Sequence, residues 1–377
     1  MIQPRPHTLT KAEKRDWLRL IRTDNVGPIT FRRLLERFGD AGRALNALPE
    51  LVRRGGGARG LKPYGKAEAE AEMAALAALG AKLIAWGEPD YPPLLAHIDD
   101  PPPLLSILGN VALLAKKAVA IVGARNASIH GCRMAERLAR DCGQGGLLVV
   151  SGMARGIDAA AHKGALATGT LAVLGGGIDV VYPKENQELY DRIRAEGVLA
   201  SEVAPGTEPQ ARHFPRRNRL ISGVARGVVV VEASPRSGSL ITARMALEQG
   251  RDVFAVPGAA GDPRAKGTNH LIRQGAFLTE SAEDVLQIVN EAERPPLAES
   301  KPLDFKGVSP SPPAPDELEK ARETIEKRLT SAPLVVDEIL RNCQFSPSVV
   351  SWVLLELELA GRLERHPGNQ VSLIQGP

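Results

Sequence analysis

The chain has only three cysteines among its 377 residues, Cys132, Cys142 and Cys343, an odd number at spacings that fit no metal site. Neither a disulfide framework nor a thiolate zinc site can be drawn from them, so a reducing cytoplasmic setting is expected. Aromatic residues make up only 4%. That scarcity argues against broad base-stacking platforms and gives weight to each aromatic that stands near basic residues. No apolar run reaches the length of a membrane span, because Arg226 interrupts the best candidate. The opening MIQPRPHTLTKAEKRDW has no apolar signal core. A dinucleotide fingerprint is missing as well. After the first apolar strand the sequence reads GARNAS, without the second and third glycines. No ribose-binding acid closes the next strand, where SGMARGID stands. These features speak against a nicotinamide or flavin site, and no cofactor or metal is expected.

What is present is a 43% hydrophobic composition, enough for a sizeable core, and a length that suits two or three domains. The net charge of +4 is unevenly distributed. Residues 211–273 hold eleven Lys and Arg against four acids, a local +7, so the remainder is slightly acidic. Such a local excess is the footprint expected for a polyanionic partner. A single arginine would be explained as a solvated surface residue. A cluster interleaved with glycine-rich turns calls for more. Its centre is HFPRRNRLISGVARGVVVVEASPRSGSLITARMALEQGRDVFAVPG, residues 213–258. There an aromatic and three arginines precede four consecutive valines, 228–231. A small-residue loop follows and then a helix from about residue 240. A strand buried on both faces, feeding a Gly/Ser loop at a helix N-terminus, is the build of an anion site.

The organisation reads as three parts. Residues 1–110 are expected to be a helical domain, with helix patterns at 14–22, 29–38 and 66–80 and a turn at Asn25-Val26-Gly27-Pro28, in the outline of a helix-hairpin-helix or sterile-alpha-motif-like unit. Prolines at 92–93 and 101–103 read as a stiff connector. Residues 111–290 alternate strand, glycine turn and helix, with strands at 118–122, 147–150, 170–174, 198–201, 228–231 and 252–256. This implies an α/β fold, an extended Rossmann-like, doubly wound and mostly parallel sheet. Gly123, Gly152, Gly175, Ser237 and Gly258 end these strands and should line one edge. Residues 291–315 read as a Pro- and Ser-rich linker. Residues 316–377 suggest three helices, 318–329, 335–342 and 346–360, and a β-hairpin wing, hence a winged helix. Its recognition-helix candidate, SPSVVSWVLLELELAG, is apolar and acidic, which favours a protein contact, or weak accessory DNA binding, over sequence readout.

The candidate binding residues follow from placement at strand ends. Arg125 and Arg155 stand in the first two turns, where a guanidinium can fork onto phosphate oxygens. Arg217, Arg219 and Lys266 add charge. Ser237, Gly238 and Ser239 offer loop amides, and Phe214 a stacking face. Ser128, Asn218 and Arg244, in the same turns and segments, complete the set. No catalytic residue is assigned: Asp158 is expected to cap a helix beginning at residue 159, and His162 to be structural.

Together these segments resemble the DNA-processing protein A family, DprA or Smf. The resemblance is carried by VAIVGARNAS, SGMARGIDAAAHKGAL, GGGIDVVYPKEN, FPRRNRLISG, PRSGSLITARMALEQGRDVFAVPG and KGTNHLIRQGA. It implies the three-part build, cytosolic binding of single-stranded DNA, loading of the RecA recombinase, a role in natural transformation and a homodimer through the central domain. It also implies DNA contacts at Arg125, Phe214, Arg217, Arg219 and the loop 237–239. The competing class is an enzyme, a Lonely-guy-type phosphoribohydrolase, whose PGGxGTxxE-like loop corresponds to SPRSGSLITA. Ile241 and Thr242 stand where its carboxylates would be needed. A duplex-reading regulator acting through the winged helix is a third possibility.

Overall fold

The computed structural model describes residues 8–56, 62–291, 315–366 and 369–374. It divides into two compact units, residues 1–14 with 70–296 and residues 15–69 with 297–377. Most of the expected linker, residues 292–314, lies outside the described residues.

Four helices open the chain: α1 (Lys11–Arg22), α2 (Pro28–Phe38), α3 (Ala41–Arg54) and α4 (Lys66–Ala78). Local rules account for the starts of two of them. Pro28 occupies the first turn of α2, where its missing N–H costs nothing. The Asp40 side chain accepts the Arg43 N–H at the start of α3. Two strands then follow in what was expected to be helical and connector sequence, β1 (Lys82–Ala85) and β2 (Leu104–Gly109). They belong to the central sheet: β1 pairs with β2, and β2 with a later strand, both antiparallel. β2 is buried along all but its last residue, so its LLSILG run alternates too little to declare a strand by period.

The sheet continues as β3 (Ala118–Val122), β4 (Leu148–Ser151), β5 (Thr170–Val173), β6 (Val198–Ser201), β7 (Gly227–Val230), β8 (Asp252–Ala255) and β9 (Phe277–Leu278). The intervening helices are α5 (Ile129–Gln144), α6 (Ile157–Ala165), α7 (Gln187–Glu196), α8 (His213–Val224), α9 (Gly238–Glu248) and α10 (Lys266–Arg273), with α11 (Ala282–Glu291) after the last strand. The order is β1-β2-β6-β5-β4-β3-β7-β8-β9, parallel from β6 to β9. Leu220, Ile221 and Ala243 of α8 and α9 cover one face, and Leu138, Ala161 and Val285 of α5, α6 and α11 the other. Strands buried on both sides explain the unbroken apolar runs. From β3 the chain first proceeds one way, through β4 to β6, and then returns to place β7 on the other side of β3. The crevice at the carboxyl ends of β3 and β7 is therefore the switch point where such sheets bind ligands.

The second unit joins the start of the chain to α12 (Pro315–Glu326), β10 (Leu334–Val335), α13 (Val336–Asn342), α14 (Pro347–Leu359), β11 (Leu363–His366) and β12 (Gln370–Leu373). Helices, strands and wing form a winged helix, with sheet order β10-β12-β11. Its third helix, α14, faces two ways. Val349, Val350, Val353 and Leu357 lie in the winged-helix core. Leu355 and Leu359 lie instead in a second core with Leu20, Phe31, Leu34, Leu48 and Leu51 of α1 to α3. Polar contacts reinforce that second seam. Thr30 donates to Glu358 (2.7 Å), and the Asn25 amide to the Leu359 carbonyl (3.2 Å). The acids that make α14 a poor phosphate partner are also engaged, Glu356 by Arg322 (2.6 Å) and Glu358 by Arg365 (2.9 Å). One apolar side of this helix is thus occupied within the chain, by its own first helices.

One prediction follows from this shared core. Leu359→Ala should lower the stability of the second unit by about 2–5 kcal/mol. Tryptophan 17 and tryptophan 352 should report one coincident denaturant transition; two separate transitions would show that the seam does not couple the segments.

Candidate nucleic-acid interface

The expected strand ends do share one edge. A cavity of about 570 Å³ opens at the switch point, lined by Gly123 to Asn126 after β3, by Ser234, Ser237, Gly238 and Ser239 after β7, and by Phe214, Arg217, Asn218 and Ile221 of α8. A second cavity of about 520 Å³ continues it toward β4 and β5, sharing Arg125, Ala154, Phe214 and Arg217 and adding Gly152, Arg155, Tyr182, Lys184, Glu185 and Glu208. A third, of about 300 Å³, lies toward β8 and contains Ser128, Glu232, Gly258 and Arg264.

The FPRRNR segment was read as a linear cluster. It is the start of α8, and the helical period sorts it. Phe214, Arg217, Asn218 and Ile221 fall on one face and line the first cavity. Arg219 points elsewhere. It is only 6% exposed, pairs with Glu202 and with Asp100 (3.2 Å), and donates to the Asp100 carbonyl (2.7 Å). It ties α8 to other parts of the unit and is no part of the cavity. Arg216 is exposed on the same helix, and Arg251 donates to the Leu94 carbonyl (2.9 Å). Much of the local +7 therefore lies away from the crevice.

Arg217 is itself 5% exposed and donates to the Val173 carbonyl at 2.5 Å. Burial, opposed by Asp158 and assisted by Arg125, lowers its pKa to about 10. Asp158 does not cap a helix at residue 159. α6 begins at Ile157, and the Asp158 carboxylate turns back to accept the backbone N–H groups of Ala154 (3.3 Å) and Gly152. Burial raises its pKa, while Arg217 acts to lower it. A Cβ on Gly152 would overlap both the guanidinium and the carboxylate, so this glycine is required by the close approach. Behind them His162 is fully buried, its Nδ1 2.8 Å from the Thr170 hydroxyl. Burial and then Arg217 lower its pKa to about 3, so it is neutral and structural, as expected.

Two helices start beside the switch point, and they differ. At α5 the Ser128 N–H and hydroxyl donate to the two oxygens of Glu232 (2.9 and 2.5 Å), while the same hydroxyl accepts the Gly131 N–H (2.9 Å). A carboxylate of the chain thus occupies the place where an anion would sit. Ser128, expected to meet ligand, is committed to this cap. At α9 the N-terminus opens onto the first cavity. Ser237 and Ser239 bond each other (2.7 Å), and the space beside Gly238 is empty.

Exposed Arg125 stands between the two large cavities, its guanidinium carbon 5.1 Å from the centre of the half-buried Phe214 ring. Tyr182 lies on the other side of that ring system, 5.6 Å between centroids. Arg155 pairs with Glu185 (3.5 Å) in the second cavity. Arg244 lies further along α9 beside Glu248 (3.6 Å), and Lys266 begins α10, exposed; neither lines the two large cavities. Arg264, Tyr182 and Lys184 do line this edge and were not singled out. Arg264 sits in a loop without strand-end signals. Tyr182 and Lys184 belong to the GGGIDVVYPKEN segment, and their position after β5 was the available clue.

Comparison with known proteins now adds to the geometry. The family model described as DNA recombination-mediator protein A matches residues 82–290. This chain belongs to the DprA/Smf family. Models for a DprA-like N-terminal HHH domain and a DprA winged helix domain match residues 11–75 and 309–369. The DNA processing protein DprA of Streptococcus pneumoniae is 48% identical over 52% of this chain and 70% of that protein. The X-ray structure of DNA processing protein A from the same species superposes with a TM-score of 0.62, at 38% identity, over 74% of this chain and 98% of that one. A DprA structure from Helicobacter pylori, described as showing a single-stranded DNA binding mode, gives 0.52 at 27% identity, over 56% and 96%. The mostly parallel sheet, the helical N-terminal domain and the winged helix of this chain are those of DprA structures.

Two outcomes are expected. Arg219→Ala should cost about 3–5 kcal/mol in chemical denaturation, because it strands Glu202 and Asp100. His162, neutral when folded down to about pH 3 but protonated below about 6.5 when unfolded, should make stability fall by about 1 kcal/mol per pH unit between those values. His162→Gln should remove that part of the slope, and an unchanged slope would mean the ring is accessible.

Proposed function

We propose that this protein binds single-stranded DNA in the crevice between β3 and β7 and leaves it chemically unaltered. The observation that carries the reading is the pairing, in one switch-point cavity, of an open helix start with exposed Arg125 and Arg264. Amide hydrogens and guanidinium groups hold phosphate oxygens, and sequence plays no part in such contacts. Arg217 and Asn218 form the floor, and Phe214 offers a base a stacking face. Arg155 and Lys266 extend the positive rim. The single-stranded DNA binding mode described for the Helicobacter pylori relative supports the ligand, and the family supports a role in recombination.

In the same reading the bound strand is handed to the RecA recombinase during natural transformation, in the cytoplasm, by a homodimer formed through the central domain. A second protomer would double the sites on a long strand and raise avidity. The enzyme reading has less support. Among the described residues lining the first cavity Asp158 is the single carboxylate, and it is buried and already hydrogen-bonded, while Ile241 and Thr242 carry no acid. General acid–base cleavage of a glycosidic bond lacks its agent there.

The reading is tested by titrating a short oligothymidylate at several salt concentrations. Arg125→Ala and Arg264→Ala should each weaken binding of all single strands alike and flatten the log–log salt slope by about 0.7. A duplex of the same length should compete poorly. Unchanged affinity and slope in both variants would remove the crevice from the binding site.

A further inference from the structure

The two large cavities share Arg125, Phe214 and Arg217 but differ in the rest of their walls. The first has the α9 start and Arg264, with one carboxylate that is buried and bonded. It suits an anion. The second adds Arg155 and Lys184 but also two carboxylates, Glu185 and Glu208, and Arg155 already lies 3.5 Å from Glu185. A phosphate entering it would meet Glu208 and would have to displace Glu185 from Arg155. A neutral, planar group with N–H donors on its rim meets no such opposition, because carboxylates accept from those donors.

The second cavity also holds the exposed aromatic of this edge. In a chain so poor in aromatics, Tyr182 is 48% exposed at the lip of the cavity, its ring tilted 43° to Phe214. Phe214 is backed by Arg125 and flanked by Arg217. Tyr182 packs against Phe214 yet remains exposed, so part of its ring is open to a flat ligand. Every nucleobase has a π-face that an aromatic side chain can stack on, whatever its sequence.

We infer that the second cavity is a nucleobase subsite, with Tyr182 as its stacking surface and Glu185 and Glu208 facing the base edge, while the phosphate of the same nucleotide lies at Arg125 in the first cavity. This deepens the single-strand reading and rests on it. It divides one nucleotide between two compartments, one with an open helix start and the other with carboxylates and an exposed aromatic ring. Arg155 then serves to orient Glu185. Because a paired base cannot enter, the subsite also contributes to the preference for unpaired strands.

The test compares the full chain and its variants on two probes of equal length, an oligothymidylate and an abasic deoxyribose-phosphate strand. The wild type should prefer the strand that carries bases. Tyr182→Ala should weaken oligothymidylate binding by about 5- to 150-fold, leave abasic binding unchanged and leave the salt slope unchanged. Tyr182→Phe should keep wild-type affinity, which also controls for folding. A wild type that binds both probes equally, or a Tyr182→Ala loss shared by both, overturns the subsite and leaves the phosphate site standing. A wild type that binds neither probe overturns the single-strand reading and the subsite with it.

Discussion

The constraint behind the site is the burial of parallel strands on both faces. Such strands can be joined only by helices that cross over, and every crossover returns the chain to the same edge. Where the direction of winding reverses, between β3 and β7, the two crossovers diverge and leave a crevice. Nothing about ligand chemistry is needed to create that opening. What gives it character is how the two helix starts beside it are dressed. Glu232 closes the one at α5, and small residues leave the one at α9 bare. The absence of a dinucleotide motif in the β3 turn and the presence of an internal carboxylate there are two sides of one arrangement.

Charge in the crevice is set by burial more than by number. Arg217 and Asp158 meet in the wall beside Gly152, where each has lost water and each moderates the other. Arg125 and Arg264 are the exposed cations of the first cavity, Arg264 lying 3.2 Å from Asp262. A count of arginines along the chain treats these residues as equals, and the helix that carries three of them separates a cavity residue, Arg217, from a structural one, Arg219.

The six main strands of the central sheet were legible to within a residue or so, because buried parallel strands announce themselves as short apolar runs ended by glycine or serine. The winged-helix elements were legible from their breaks at proline and glycine. β1, β2 and β9 were not, since a strand's pairing partner lies far away in sequence and short strands hold little local signal. α8 was hidden by its own composition: Pro215 and a run of arginines leave little apolar period, and Leu220, Ile221 and Val224 supply the face that packs on the sheet. Topology alone implies that Arg125, Ser237 and Ser239 share one sheet edge, and all three line the switch-point cavity. Ser128, Arg219 and Arg244 were misassigned for a common reason, that each finds a partner inside the protein that linear inspection does not reveal.

The position of α14 has a consequence for biosynthesis. The apolar side of the first helices is completed by Leu355 and Leu359, about three hundred residues downstream of α3. At roughly 5–20 residues per second, the ribosome leaves that surface uncovered for about 15–60 s while the whole central sheet is made and folded. These helices are made well before the residues that complete their core, and during that interval their apolar side stays exposed.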